Sequence, residues 1–221
     1  NKKMRIILVR HGQTYWNIER IFRGRIDVKL NKKGIQEARI IGNKLRNVCF
    51  DGIYTSPLSR AIETSKIIAS YHNNIPIQKL NELIDIDFGK WQGLARTKVV
   101  ERYPKIFSTW EKNPEKVNIP GAETLDDVRE RVVRGLNNIL SKHKNRTVLI
   151  VSHGLVNKVL LCDILDLDNS HFWKVKQDNG AINIFEYTDH GSKVFLMNDI
   201  SHLYTVDEII KSMQCVENPI G

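Results

Sequence analysis

The chain has 221 residues, of which 41% are hydrophobic and 27% charged, and its formal net charge is +9. These values are typical of a folded globular protein, and the absence of any apolar run near the roughly 20 residues that span a bilayer excludes a membrane-spanning helix in this sequence. Basic residues are interspersed with acidic ones, so we expect the positive field to favour small anionic ligands rather than nucleic acid.

Three further expectations follow from the length of the chain, its cysteines and its N-terminal residues. We expect a single domain over residues 1–221, with an insertion at about residues 88–122. Cys49, Cys162 and Cys215 are odd in number and lack paired spacing, which favours reduced thiols over a zinc or dithiol site. The first residues do not resemble a signal peptide, which favours a cytoplasmic location.

The first part of the sequence alternates short apolar runs with helical patterns. Residues 6–9 and 52–55 are short apolar runs that predict strands buried on both faces. Between them, residues 34–48 place apolar side chains at helical spacing. A second helix is predicted after residue 55, with Ser56 as the N-cap and Pro57 in the first turn.

The middle of the sequence is predicted to be less regular. A short strand is predicted at residues 75–80, and residues 88–122 combine aromatic side chains with prolines, which is typical of an insertion packed over a sheet. Thr124 and Asp127 then match a capping box, which predicts a helix that ends near residue 144.

The last part returns to strands and helices. We predict a strand at residues 148–151, a helix that begins after Gly154, and a hairpin with its turn at residues 188–192. The alternation of strands and helices, followed by a hairpin, predicts an α/β fold: a three-layer α/β/α sandwich with a mostly parallel, mixed sheet and a small insertion over the active site.

Two of the predicted strands end in the same residue pair. His11-Gly12 follows the strand at residues 6–9, and His153-Gly154 follows the strand at 148–151. Because ligands of open α/β sheets bind outside the carboxyl ends of the strands, we expect both histidines at one rim. Each glycine would let the backbone approach a ligand closely, and the helix after Gly154 would offer its N-terminus to an anion.

Two arginines strengthen the case for a phosphate site. Arg60 lies in the first turn of a predicted helix, where the macrodipole disfavours a cation, so an anion is expected beside it. Arg10 and Arg60 could each bind two phosphoryl oxygens through bidentate hydrogen bonds from the planar guanidinium, and a neutral histidine could then attack phosphorus.

Several segments together carry a family resemblance that covers nearly the whole chain to about residue 203. They read "LVRHGQTYWN", "RIFRGRIDVKLNKKGIQEA", "YTSPLSRAIETS", "IDFGKWQG", "PGAETLDDVRERV" and "VLIVSHG". The sequence resembles the histidine phosphatase superfamily, in the branch that includes cofactor-dependent phosphoglycerate mutases.

The resemblance implies a role for each matching residue. His11 would be the nucleophile that carries a phosphohistidine, Arg10, Arg60 and His153 would bind the phosphoryl oxygens, and Asn17 would help complete the pocket. Gly154 would lie in the same pocket, and no metal or other cofactor is implied. Asn17 could instead only fix its own loop through a local hydrogen bond.

The resemblance points to Asp85 as the acid of the reaction. The family has a glutamate before a glycine, and this chain has Asp85 at the matching place, one methylene shorter; Glu82 or Asp87 could share the role. Glu123 could reach the pocket, as the resemblance suggests, or only favour the dipole of the helix that follows it.

The sequence favours a phosphatase acting on small phosphate monoesters of the phosphoserine or α-ribazole phosphate type. Mutases of the family carry an arginine after the catalytic glutamate, where this chain has Ile86. A phosphoglycerate mutase and a catalytically silent anion-binding relative are the alternatives. We expect a small-molecule partner, no nucleic acid and no membrane, and the sequence leaves open a homodimer through an edge strand.

Overall fold

The computed structural model describes residues 3–73 and 75–214, whose strands form a six-stranded sheet flanked by helices. The strands are β1 (Lys3–Arg10), β2 (Gly52–Thr55), β3 (Ile77–Lys79), β4 (Thr147–Ser152), β5 (Ile182–Thr188) and β6 (Gly191–Asp199). The α-helices are α1 (Tyr15–Ile18), α2 (Lys32–Leu45), α3 (Ser59–Ala69), α4 (Arg96–Arg102), α5 (Pro104–Lys112), α6 (Leu125–Lys142), α7 (Gly154–Ile164) and α8 (Val206–Gln214).

The sheet is mixed and mostly parallel, as the sequence predicts. Its strand order is β3-β2-β4-β1-β5-β6, in which β1 to β4 run parallel and the hairpin of β5 and β6 adds two antiparallel strands at one edge. Successive side chains of β1 enter different cores: Ile6 and Leu8 belong to one buried cluster, Ile7 and Val9 to the other. Because side chains alternate between the faces of a strand, these two cores define the expected three layers.

The structure confirms the predicted start of α6 and corrects that of α3. The capping box of Thr124 and Asp127 is confirmed, with the Asp127 N–H bonded to Thr124 Oγ1 at 3.1 Å and the Thr124 N–H to Asp127 Oδ2 at 2.8 Å. The prediction that Ser56 caps α3 was wrong, because α3 begins at Ser59 with Leu58 as its N-cap. The hydroxyl of Ser56 contacts His153 instead, at 2.7 Å.

The predicted insertion forms a layer over one core. Its helix α5 carries Phe107 and Trp110, which pack with Trp91 in an aromatic cluster that also includes Phe22 and Phe88. Trp91 is completely buried. Trp91 and Phe107 therefore pack within the core, whereas Trp110 also reaches the cleft described below.

The remaining predictions concern cysteines and membrane spans. Cys162 is buried on α7 and Cys49 is exposed, and both are free thiols, while Cys215 lies outside the described residues. Helices α1 and α8 were not predicted from the sequence. Within residues 3–73 and 75–214, no helix combines the length and the hydropathy that crossing a bilayer requires.

Candidate active site

The two histidines predicted to share a rim lie side by side. Strands β1 and β4 are parallel neighbours in which Arg10 pairs with Ser152, so the residue after each strand emerges at the same place. The ring centroids of His11 and His153 are 5.2 Å apart, with an angle of 61° between the ring planes. Both side chains are fully buried, so the hydrogen bonds of each ring determine which of its nitrogens carries the proton.

The hydrogen bonds of His11 define which ring nitrogen can react. His11 Nδ1 lies 2.6 Å from the carbonyl oxygen of Gly12, which can only accept, so Nδ1 carries the proton. Burial, with Arg60 next in importance, holds the pKa of His11 well below its usual value of 6.5, so the ring is neutral at pH 7. Nε2 has no hydrogen-bond partner among the described residues and therefore presents a free lone pair.

His153 has the same ring tautomer as His11, and Ser56 determines it. The Leu58 N–H donates to Ser56 Oγ at 3.3 Å, and the hydroxyl in turn lies 2.7 Å from His153 Nε2. A hydroxyl that already accepts from Leu58 can donate its own proton to Nε2, which leaves the ring proton on Nδ1. Burial and Arg60 lower the pKa of His153 well below 6.5, so Nδ1–H is a neutral donor. The sequence pattern suggested a helix cap at Ser56 and gave no sign of this role.

Arg10 and Arg60 are both buried against the histidines, but backbone carbonyls occupy part of each guanidinium. Arg10 Nη1 donates to the Gln177 carbonyl at 2.5 Å, and Arg60 donates from Nη1 to the Ile26 carbonyl at 3.0 Å and from Nη2 to the Gly24 carbonyl at 2.8 Å. Within the described chain, Nε of each arginine has no partner. Arg60 therefore has fewer free N–H groups for the expected bidentate binding of phosphate, since both of its terminal nitrogens already donate to carbonyls.

A third arginine, which the sequence reasoning missed, joins this cluster. Arg23 Nη1 donates to Thr14 Oγ1 at 3.4 Å, while its Nε has no partner among the described residues. Burial, followed by repulsion from Arg60 and Arg10, lowers the pKa of Arg23 to about 9, so the side chain remains cationic at pH 7. It follows Phe22, whose N–H is bonded to the distant Leu94 carbonyl, and this long-range contact leaves no local sequence signal.

Asp85 is the acidic residue that the structure places in the cluster. Its Oδ2 lies 3.0 Å from Arg60 Nη2 and 3.6 Å from His153 Nδ1, and its Oδ1 accepts from the Ile86 N–H at 3.0 Å. The side chain of Glu82 instead packs towards Gly135 of α6. Asp87 accepts from the Gly89 N–H at 2.8 Å and is absent from the cleft wall to which Asp85 contributes.

Glu123 does not line the cleft and instead pairs with arginines that support the segment carrying Asp85. Its two oxygens accept from Arg131 at 2.9 and 3.0 Å, and one also pairs with Arg25 at 2.9 Å. Arg131 in turn donates to the carbonyls of Glu82 and Ile84, each at 2.7 Å. These contacts hold the segment that carries Asp85, and direct binding of substrate by Glu123 stays a prediction without support from this geometry.

Asn17 lies at the cleft, with its oxygen used locally. Asn17 Oδ1 accepts from the Thr14 N–H and from Thr14 Oγ1, both at 2.9 Å. This is the local side-chain bond considered from the sequence, and Asn17 nevertheless contributes to the cleft wall. The amide nitrogen is the group it can offer to a ligand.

The two glycines after the histidines serve close packing within the protein. A Cβ on Gly12 would stand 2.3 Å from the Gly34 carbonyl oxygen, and one on Gly154 would stand 2.9 Å from Cζ of Arg10. Gly12 lets its loop pack on α2, and Gly154 lets the Arg10 guanidinium lie against the N-terminus of α7, while a close approach of this backbone to a ligand stays a prediction. That terminus favours an anion next to Arg10.

A cleft opens over this cluster. Asp85 and Gly154 form part of its wall, which also includes Asn17, Arg23 and Lys158. Its aromatic wall residues are Trp16, Phe22, Phe88, Trp110, Phe172 and Trp173. The cleft therefore combines the cations Arg23 and Lys158 with a largely apolar wall, which is typical of a site for a small organic anion.

Comparisons with known proteins agree with this site. The model of the histidine phosphatase superfamily (branch 1) matches residues 6–200. Phosphoserine phosphatase 1 of Hydrogenobacter thermophilus is 32% identical over 200 residues, which cover 90% of this chain and 94% of that protein. The chain therefore belongs to the histidine phosphatase superfamily, and it is a phosphomonoester hydrolase.

Solved structures show the same fold. YhfR of Bacillus stearothermophilus superimposes with a TM-score of 0.87 at 32% identity, covering 91% of this chain and 100% of that one. A phosphoserine phosphatase of Entamoeba histolytica, solved in complex with 3-phosphoglyceric acid, gives a TM-score of 0.78 at 26% identity, covering 91% of this chain and 100% of that one.

Proposed function

We propose that the chain is a metal-independent phosphatase that hydrolyses small phosphate monoesters through a phosphohistidine on His11. One observation carries this proposal: five buried nitrogens of the cluster have no hydrogen-bond partner in the described residues. They are His11 Nε2, His153 Nδ1, and Nε of Arg10, Arg23 and Arg60. Buried polar groups without partners are costly, and a phosphoryl group supplies acceptors for the donors and an electrophile for the lone pair.

In the first step, the neutral His11 Nε2 attacks phosphorus. The bond between Nε2 and phosphorus forms as the bond from phosphorus to the ester oxygen breaks, while Arg10, Arg23, Arg60 and His153 Nδ1–H stabilise the phosphoryl oxygens. Asp85 gives a proton to the departing oxygen and is left as the carboxylate.

In the second step, water replaces the histidine. The Asp85 carboxylate accepts a proton from water as the water oxygen attacks phosphorus, the bond to Nε2 breaks, and inorganic phosphate leaves. His11 is then neutral again and Asp85 is protonated, so the cycle closes without an additional proton source. Within residues 3–73 and 75–214, no group of three or more His, Cys, Asp or Glu side chains has the arrangement of a metal site.

The proposal favours hydrolysis over mutase chemistry. Ile86, which stands where the mutases of the family have an arginine, is 1% exposed and packed in the core, so it offers no cation to a second acidic group of the substrate. The phosphoserine phosphatase relative supports a substrate of the phosphoserine type, and α-ribazole phosphate stays a prediction. We also propose that the chain is a single domain that acts in the cytoplasm on a small molecule, without a nucleic-acid or membrane partner. If the protein forms a homodimer through an edge strand, β6 is the strand at that edge of the sheet.

The test is hydrolysis of p-nitrophenyl phosphate with and without a metal chelator. We expect steady release of p-nitrophenol that the chelator does not change, because His11 supplies the nucleophile. A panel of phosphoserine, α-ribazole phosphate and 3-phosphoglycerate, ranked by kcat/KM, then identifies the substrate type. Loss of activity in chelator that a divalent ion restores would contradict metal independence, and failure to hydrolyse any of these esters would contradict the phosphatase.

A further inference from the structure

Lys158 is a buried cation of the cleft that the proposed mechanism does not use. It lies one helical turn after Gly154 on α7, contributes to the cleft wall and is only 5% exposed. Its ammonium nitrogen lies 4.9 Å from the ring centroid of Phe172 and 4.5 Å from that of Trp173. These two rings meet nearly edge to face, at 75°, so the ammonium group is held in the angle between them.

No acceptor within the described residues satisfies the Lys158 ammonium. Its three N–H groups make no hydrogen bond to residues 3–73 and 75–214, and no carboxylate there lies within 4.0 Å of Nζ. The aromatic rings stabilise the positive charge but provide no carboxylate or carbonyl oxygen. The group is therefore a donor directed at a ligand of the cleft rather than at the protein.

The electrostatic surroundings of Lys158 are mixed. Arg10 on β1 and Lys176 repel the ammonium group, whereas Asp178 attracts it; the nearby Cys162 thiol, whose pKa burial raises, is uncharged at pH 7. Lys176 and Asp178 belong to the segment before β5 and pair with each other at 3.1 Å. A carboxylate, with one negative charge, suits this setting better than a second phosphate, whose additional charge Asp178 would oppose.

Lys158 is close enough to the phosphoryl site to act on the same molecule. Gly154 packs against the Arg10 guanidinium, and four residues of α-helix separate Gly154 from Lys158 by about 6 Å along the axis. Residues four apart also lie on the same face of a helix. A substrate with its phosphoryl group beside Arg10 can thus place a group a few bonds away next to Lys158.

We propose that Lys158 binds a carboxylate of the substrate, so that the preferred substrates are small phosphate monoesters with a carboxylate a few bonds from the phosphate. This inference rests on the proposed phosphatase function and specifies its substrate class. Lys158 acts in it as a specificity residue, since it contacts the part of the substrate that does not react.

The pH dependence provides an independent readout. Burial, with Arg10 next, lowers the pKa of Lys158 to about 7. The side chain is therefore charged below pH 7 and loses its charge above it. We expect the preference for a carboxylated ester, measured as a ratio of kcat/KM values, to fall as the pH of the assay rises above 7.

The experiment compares phosphoserine with phosphoethanolamine, which lacks only the carboxylate, in the wild type and in Lys158→Met. We expect the kcat/KM ratio of the two esters to fall by about 10-fold or more in Lys158→Met, mainly through KM for phosphoserine, because a hydrogen bond to a charged group is lost. Lys158→Arg should keep the wild-type kcat/KM ratio of the two esters. In this variant the ratio should no longer fall above pH 7, since arginine stays charged. Lys176→Met, which removes a nearby charge from the cleft's surroundings, is the matched control and should keep the ratio.

The outcomes separate the two proposals. An unchanged ratio in Lys158→Met, with p-nitrophenyl phosphate still hydrolysed, would overturn the assignment of Lys158 and leave the phosphatase in place. A parallel loss on both esters would also overturn it, because a merely structural lysine would act in that way. Failure of the wild type to hydrolyse p-nitrophenyl phosphate would overturn the phosphatase and this inference together.

Discussion

Replacing His11 with alanine is expected to lower kcat/KM for p-nitrophenyl phosphate by roughly 10³-fold or more, since the residual binding groups alone provide little catalysis once a nucleophile is removed. The physical reason is the free Nε2 lone pair, which the bond from Nδ1 to the Gly12 carbonyl and the lowered pKa of the ring both preserve. Steady-state kinetics with this aryl ester measure the loss directly, because its good leaving group needs little help from an acid.

The control for this variant removes an imidazole elsewhere. His190 is exposed in the turn between β5 and β6, so His190→Ala should keep the wild-type rate. Circular dichroism of both variants should match that of the wild type. If His11→Ala retained activity within tenfold of the wild type, His11 would not be the nucleophile.

The second prediction is that Asp85→Asn lowers kcat/KM for an alkyl phosphate by about 10²-fold more than for an aryl phosphate. An alkoxide needs a proton as it leaves, whereas p-nitrophenolate does not. The variant also breaks the ion pair of Asp85 with Arg60, but that disturbance affects both esters and cancels in the comparison. Phosphoserine and p-nitrophenyl phosphate, assayed in parallel, provide the two rates.

Neighbouring carboxylates supply the controls for Asp85. Glu82→Gln and Asp87→Asn should keep the wild-type ratio of kcat/KM for the alkyl ester to kcat/KM for the aryl ester, because neither side chain contributes to the cleft wall. Asp85→Glu, which restores the chain length usual in the family, should keep the alkyl activity that Asp85→Asn loses. Equal losses on both esters in Asp85→Asn, or a selective alkyl loss in Asp87→Asn, would contradict the assignment.

Much of the floor of the site could be predicted because it depends on local patterns and on sheet geometry. The apolar runs that end at Arg10 and Ser152 form parallel neighbouring strands, and this alone brings His11 next to His153. Arg60 was predicted correctly in the first turn of a helix, although that helix begins two residues later than Pro57.

The parts that could not be predicted depend on contacts between distant segments. Arg23 enters the cluster from a loop held to Leu94, and Lys158 receives its surroundings from Phe172 and Trp173. Glu123 matched the family pattern, yet Arg25 and Arg131 use its oxygens. Spacing within one segment carries no information about such partners.

The most direct test of the central claim is a search for the covalent intermediate on His11. Wild-type protein is mixed with a ³²P-labelled phosphate monoester, quenched in alkali within a single turnover and digested for mass spectrometry. We expect a transient, acid-labile phosphoryl group on the peptide that contains His11, which His11→Ala lacks. Label on a different residue, or no label at times that resolve one turnover, would contradict it.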